Sequence, residues 1–123
     1  MTATGTFEVD LTPQEDTEFP AGRMLIKKAY SGGMAGSGIG QMISKRTEDG
    51  AAIYYAIEEF SGTLDGKKGG FTLTHKGFMS AESQLLEVVI LEGSGSGELL
   101  GISGSMTITQ SAGGHGYELE YAL

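Results

Sequence analysis

The sequence predicts an all-β protein: a closed antiparallel barrel of about eight short strands, with little or no helix. Three observations carry this. Glycine is 21 of 123 residues, more than twice the roughly 7% of average proteins, and glycine weakens helix interiors. Strand-like segments separated by glycine recur from end to end without a helical period, the pattern of a sandwich or barrel. Two Asp-Gly pairs, Asp49-Gly50 and Asp65-Gly66, are of the type favoured in two-residue hairpin turns. The eight segments are Ala3–Leu11, Arg23–Gly32, Ser37–Arg46, Ala51–Phe60, Gly70–Phe78, Ser83–Glu92, Ile102–Gln110 and Gly116–Leu123, with one helical turn at Gly97–Leu100.

The length fits one domain over residues 1–123. Leu, Ile, Val and Phe total 27, slightly above the roughly 20% floor for a foldable core, so the core is lean. Sixteen acidic against eight basic residues give a net charge of −8. That balance repels phosphate backbones and argues against nucleic acid. Cysteine is absent, which removes disulfides, thiolate nucleophiles and cysteine-ligated metals. The opening residues carry neither a basic region nor an apolar one, so no signal peptide is read, and no apolar run approaches a membrane span of about 18 residues. The expectation is a soluble cytoplasmic protein.

Thr12–Ala21 holds both prolines, Pro13 and Pro20, with Glu15, Asp16 and Glu18, and reads as the one long loop. If both Asp-Gly turns are two residues long, counting outward places Gln41 opposite Glu58 and Glu58 opposite Leu73. It also places Ile43 opposite Ala56 and Ala56 opposite His75. Phe71 and Leu73 alternate with Thr72 and Thr74, which fixes the inner face. The predicted interior then holds Ile39, Gln41, Ile43, Tyr54, Ala56, Glu58, Phe60, Phe71, Leu73 and His75. A slip of one residue would invert this assignment.

Alternation elsewhere points Phe7, Val9 and Leu11 inward, with Ile102, Met106 and Ile108, and with Tyr117, Leu119 and Tyr121; His115 falls near the rim. Met24, Ile26 and Tyr30 form the better apolar face of their segment and bring Lys28 with them. Leu85–Leu91 is apolar on both faces except at Glu87.

The candidate ligand-binding residues are therefore Lys28, Gln41, Tyr54, Glu58, His75, Tyr117 and Tyr121, with Glu58 and His75 as candidate catalytic groups. A buried carboxylate needs partners; His75 is its diagonal neighbour on the next strand, and Lys28 could reach it across the lumen. Polar groups among aromatic ones suit a small-molecule site, yet the same cluster could be a satisfied network that only fixes register. The glycine-rich runs Gly32–Gly40 and Gly93–Gly97 lack a phosphate-loop pattern and read as turns and strand-bending glycines. No Gly-x-Ser-x-Gly elbow exists, the histidines lack a metal-ligand spacing, and no metal or cofactor is expected. Ile53, Tyr55 and Ile57 face outward as an apolar stripe, which predicts a dimer or trimer packed through this strand.

Thr4-Gly5-Thr6-Phe7-Glu8-Val9, Glu58 through Phe71, His75-Lys76-Gly77, Gly93 through Leu99 and Tyr117-Glu118-Leu119-Glu120-Tyr121 together carry a family likeness. Across nearly its whole length the chain resembles a bacterial family of unknown function, similar in fold to the calycin-like barrel of allene oxide cyclase. The resemblance implies an eight-stranded barrel with a central cavity, and oligomerisation as in the cyclases. In the family pattern the Lys28 position is polar and the Glu58 and His75 positions match as they stand, which favours the lumen for all three. It implies no activity. Three readings stay open: a small-molecule binding barrel, a cofactor-free cyclase or isomerase, and a filled structural barrel.

Overall fold

A computed structural model describes residues 1–15, 18–111 and 113–123. Among these residues nine strands follow in order: β1 (Thr2–Gln14), β2 (Gly22–Gly32), β3 (Met34–Arg46), β4 (Ala52–Leu64), β5 (Lys67–Met79), β6 (Gln84–Ile90), β7 (Ser96–Gly97), β8 (Ser103–Ser111) and β9 (Gly114–Ala122). Eight of them close an antiparallel ring in the order β4-β3-β2-β1-β9-β8-β6-β5, with β5 returning to β4. The two-residue β7 adds to one end of β5 at Gly69 and Gly70. Among the described residues there is no helix, and so none long and apolar enough to cross a membrane. Gly97–Leu100, expected as a helical turn, belongs instead to β7 and a run of hydrogen-bonded turns.

The Asp65-Gly66 turn forms as read. Asp65 and Gly66 take φ of 48° and 85°, the left-handed pair of a type I′ hairpin turn, and Leu64 pairs with Lys67. Glu58 accordingly lies opposite Leu73, and Ala56 opposite His75.

The Asp49-Gly50 turn does not. The Thr47 N–H donates to the Ala51 carbonyl at 2.8 Å, and the Ala51 N–H donates to Thr47 Oγ1 at 3.1 Å. These bonds close a longer turn between Arg46 and Ala52, with Gly50 at φ 87°. The β3–β4 pairing therefore moves by one residue: Gln41 lies opposite Ile57, and Ile43 opposite Tyr55. A one-residue slip turns a whole strand over, so Ile39, Gln41 and Ile43 are exposed rather than interior. Gly38 and Gly40 take the buried inner positions of β3.

Two further boundaries differ. β1 runs on to Gln14, with Pro13 paired to Met24 inside what reads as a loop. It can do so because, among the described residues, β9 pairs with β1 only from Thr2 to Phe7, and beyond Phe7 that edge has no strand neighbour among them to which a missing N–H would matter. Asp16, which the sequence places in the same loop, lies outside the described residues. β3 begins at Met34 rather than Ser37, so the glycines from Gly36 to Gly40 lie within a strand.

The lean core fills one half of the barrel. Met34, Phe60, Leu64, Phe71, Leu73 and Leu119 close that half. The connection from Leu91 to Ile102 crosses the end and drops Leu99 and Ile102 into the core. The Glu98 side chain holds it there by accepting from the Lys68 N–H at 3.0 Å. Toward the other end the wall is incomplete. Among the described residues β6 and β8 pair only at Val88–Met106 and Val89–Ser105, so Gln84–Glu87 run on without that neighbour.

Candidate functional site

Lys28 on β2 and Glu58 on β4 lie on either side of β3, and they meet because β3 presents glycine between them. A Cβ on Gly38 would come 2.1 Å from Glu58 Oε2 and 3.0 Å from the Tyr30 ring. The alternation Gly36-Ser37-Gly38-Ile39-Gly40 thus leaves the lumen clear for two large side chains from the flanking strands. His75 on β5 comes in diagonally, two residues beyond Leu73, the partner of Glu58.

The Glu58 side chain is 0% exposed. Its Oε1 accepts from Lys28 Nζ at 2.9 Å and from His75 Nε2 at 2.9 Å, and its Oε2 accepts from the Tyr30 hydroxyl at 2.5 Å. Burial pushes the carboxyl pKa up, but the His75 hydrogen bond, the Lys28 charge and the Tyr30 hydroxyl outweigh it and bring it to about 2. Glu58 is therefore a carboxylate with three donors. Burial and the neighbouring Glu58 charge raise the Tyr30 hydroxyl, which stays protonated and donating. Lys28 Nζ also lies 4.7 Å from the centre of the Phe7 ring, a cation–π contact.

Above this cluster the unfilled half of the barrel holds a cavity of about 650 Å³. Lys28 and His75 form its polar floor; Phe7, Val9, Ile26, Met42, Ala56, Leu86 and Ile108 make up much of its wall. At the rim His115 stacks on Phe7, with ring centres 5.0 Å apart, and Gln110 Nε2 donates to His115 Nε2 at 2.8 Å.

The structure thus brings Lys28, Glu58 and His75 together, and Tyr54 lines the same cavity with its ring packed over Gly77. Burial raises the Tyr54 hydroxyl pKa. Gln41 is a correction: it lies on the outer surface, turned there by the slip in β3. Tyr117 and Tyr121 do point inward, but into the closed half, where Tyr117 ties the backbone and Tyr121 the Asp65 side chain. The Tyr117 hydroxyl accepts from the Met34 N–H at 2.7 Å and can donate to the Ser31 carbonyl at 2.9 Å. The Tyr121 hydroxyl donates to Asp65 Oδ2 at 2.5 Å, which lifts its pKa to about 12. Tyr30 is the residue that sequence reasoning left out of the site, although it shares the inner face of Lys28 two positions on.

A second depression, of about 560 Å³, lies outside, between Gln41, Ile43, Tyr55, Ile57, Thr74 and Val89, and it reaches Ala56 and His75, which also line the lumen. Ile53, Tyr55 and Ile57 are exposed as expected, joined by Ile39 and Ile43.

The profile of a family of proteins of unknown function, DUF3224, matches residues 3–121. A solved structure of a DUF3224-family protein of unknown function from Shewanella oneidensis MR-1 is similar with a TM-score of 0.94 and 35% sequence identity. The match covers 100% of this chain and 96% of that one. Among curated proteins none matches.

Proposed function

Since this chain belongs to the DUF3224 family, a family of unknown function, its role has to be read from the cavity, and we propose that the barrel binds a small apolar or amphipathic molecule in its open half. The observation that carries this is the combination at one place of an apolar wall and a polar floor. A network that served only to fix register would be stable beneath a filled lumen. Here Lys28 and His75 border about 650 Å³ of space, a volume within the usual range of small-molecule sites.

The test is fluorescence titration with the neutral probe N-phenyl-1-naphthylamine, with Val9→Phe filling the lumen from β1 and Ile57→Ser altering the outer depression. Saturable one-to-one binding is expected, abolished by Val9→Phe and left intact by Ile57→Ser. No binding, or the reverse sensitivity, contradicts it.

A second reading, cofactor-free isomerisation, is favoured by one feature: a histidine held by a carboxylate at the edge of the cavity. In that case His75 would be the general base. Glu58, sealed from the cavity, would be a positioning residue rather than the group that meets substrate. For partners, we propose self-association through the outer face of β3 and β4, where Ile39, Ile43, Ile53, Tyr55 and Ile57 form a contiguous apolar surface of the kind that marks interfaces.

A further inference from the structure

The floor of the cavity carries chemical information beyond its polarity. A carboxylate only accepts hydrogen bonds, so each of the three groups on Glu58 must donate. For His75 this places a hydrogen on Nε2. In the neutral imidazole the other nitrogen, Nδ1, then carries the lone pair. Among the described residues no buried side-chain nitrogen or oxygen lacks a hydrogen-bond partner. The bond made by His75 is through Nε2, so Nδ1 is not sealed in protein; His75 lines both the lumen and the outer depression, and because its ring points inward to Glu58 the lumen is the space we assign to Nδ1.

Lys28 is in a comparable position. One of its three N–H groups goes to Glu58. Nζ also lies over the faces of the Phe7 and Tyr30 rings, at 4.7 and 5.8 Å, and among the described residues it makes no second hydrogen bond. The cavity floor thus shows a donor from Lys28 and an acceptor from His75 side by side, because both are bonded to the same oxygen of Glu58.

We propose that the lumen selects a neutral, hydroxyl-headed amphiphile, an alcohol or phenol, whose single oxygen accepts from Lys28 and donates to His75 Nδ1. This rests on the lumen-binding reading and names its ligand class. A carboxylate head would satisfy Lys28 but set its charge against the Nδ1 lone pair and beside Glu58, in a chain of net charge −8. An ammonium head would meet Lys28 as a like charge. A ketone accepts from Lys28 and leaves Nδ1 without a donor. The hydroxyl is the simplest head that satisfies both groups, and its apolar tail would run upward against Ile26, Met42 and Ile108.

The experiment compares chain-matched 1-octanol, octanoate and octylamine by isothermal titration calorimetry of the full chain at pH 8. Octanol is expected to bind at least tenfold more tightly than either charged analogue, and His75→Phe to remove that preference. Should His75→Phe fail to fold, the wild type still gives the decisive readout. Long-range proton–nitrogen NMR spectra of His75 should show hydrogen on Nε2 and none on Nδ1, with the Nδ1 resonance moving upfield as octanol is added. Octanoate binding as tightly as octanol, or a proton on Nδ1 in the free protein, overturns the proposal. If N-phenyl-1-naphthylamine binds in the lumen while octanol does not, the ligand class falls and lumen binding stands. If neither binds, both fall.

Discussion

Glu58 is the residue on which the inner architecture turns. Removing one member of a buried, hydrogen-bonded ion pair strands the other without compensation, typically at 3–5 kcal/mol. Glu58→Gln should lower stability at pH 7 by about that amount, read as a fall in the urea midpoint with an unchanged slope. The pH dependence has a defined sign. The folded-state pKa lies at about 2, below the ordinary value of 4.5, so the unfolded chain binds more protons between those values. Stability from this group is complete above pH 4.5 and is lost as pH falls from 4.5 to about 2. The loss is on the order of 3 kcal/mol. Glu58→Gln should therefore flatten this part of the stability profile. Parallel profiles for wild type and variant would show that the carboxylate is not held as described. At this scale Lys28, Glu58 and His75 were legible, because the Asp65-Gly66 turn counts straight to the Glu58–His75 diagonal. Tyr30 was not singled out: a tyrosine on an apolar face reads as core until a carboxylate is known to meet its hydroxyl.

Among the elements, β3 is where sequence and structure part. Asp49-Gly50 has the composition of a two-residue turn, but Thr47 bonds Ala51 through both its N–H and its hydroxyl and closes a longer one. Local turn propensity lost to a neighbouring side chain, and Gln41 went to the outside with Ile39 and Ile43. A competing signal lay in the same strand. Glycine alternating with Ser37 and Ile39 marks a face that must have no side chains, and isoleucine on the inside would collide with what Lys28, Tyr30 and Glu58 build there. Gly38→Ala should accordingly cost about 1–3 kcal/mol by overpacking, while Ser37→Ala, facing out on the same strand, should stay within about 0.5 kcal/mol. Thermal or urea denaturation of the pair checks this; equal effects would mean that Glu58 and Tyr30 can move aside freely. The strand count, the antiparallel order and the β4–β5 register followed from glycine spacing and one turn. The extent of β1 did not, since Pro13 is tolerated only because β9 has already left that edge.

For the whole molecule, a lean core has two consequences. The apolar residues suffice to fill one half of the barrel, sealed by Leu99 and Ile102, and the other half stays open above Lys28 and His75. Apolar residues also remain outside: Ile39 and Ile57 are 60% and 61% exposed. On the proposed self-association, light scattering at micromolar concentration should give a mass of two or three chains, and Ile57→Lys with Ile43→Lys should return it to one. A wild-type monomer removes the proposal. That outer surface also offers a depression comparable in size to the lumen, so the two locations compete for any apolar ligand. Amide chemical-shift mapping of the nitrogen-15-labelled chain with N-phenyl-1-naphthylamine separates them most directly. The expected shifts concentrate at Ile26, Lys28, Met42 and Ile108, which line the lumen and not the outer depression, with Leu64, Leu99 and Leu119 in the closed half unmoved. Shifts confined to Ile43, Ile57 and Val89, or none, would contradict a ligand-binding lumen.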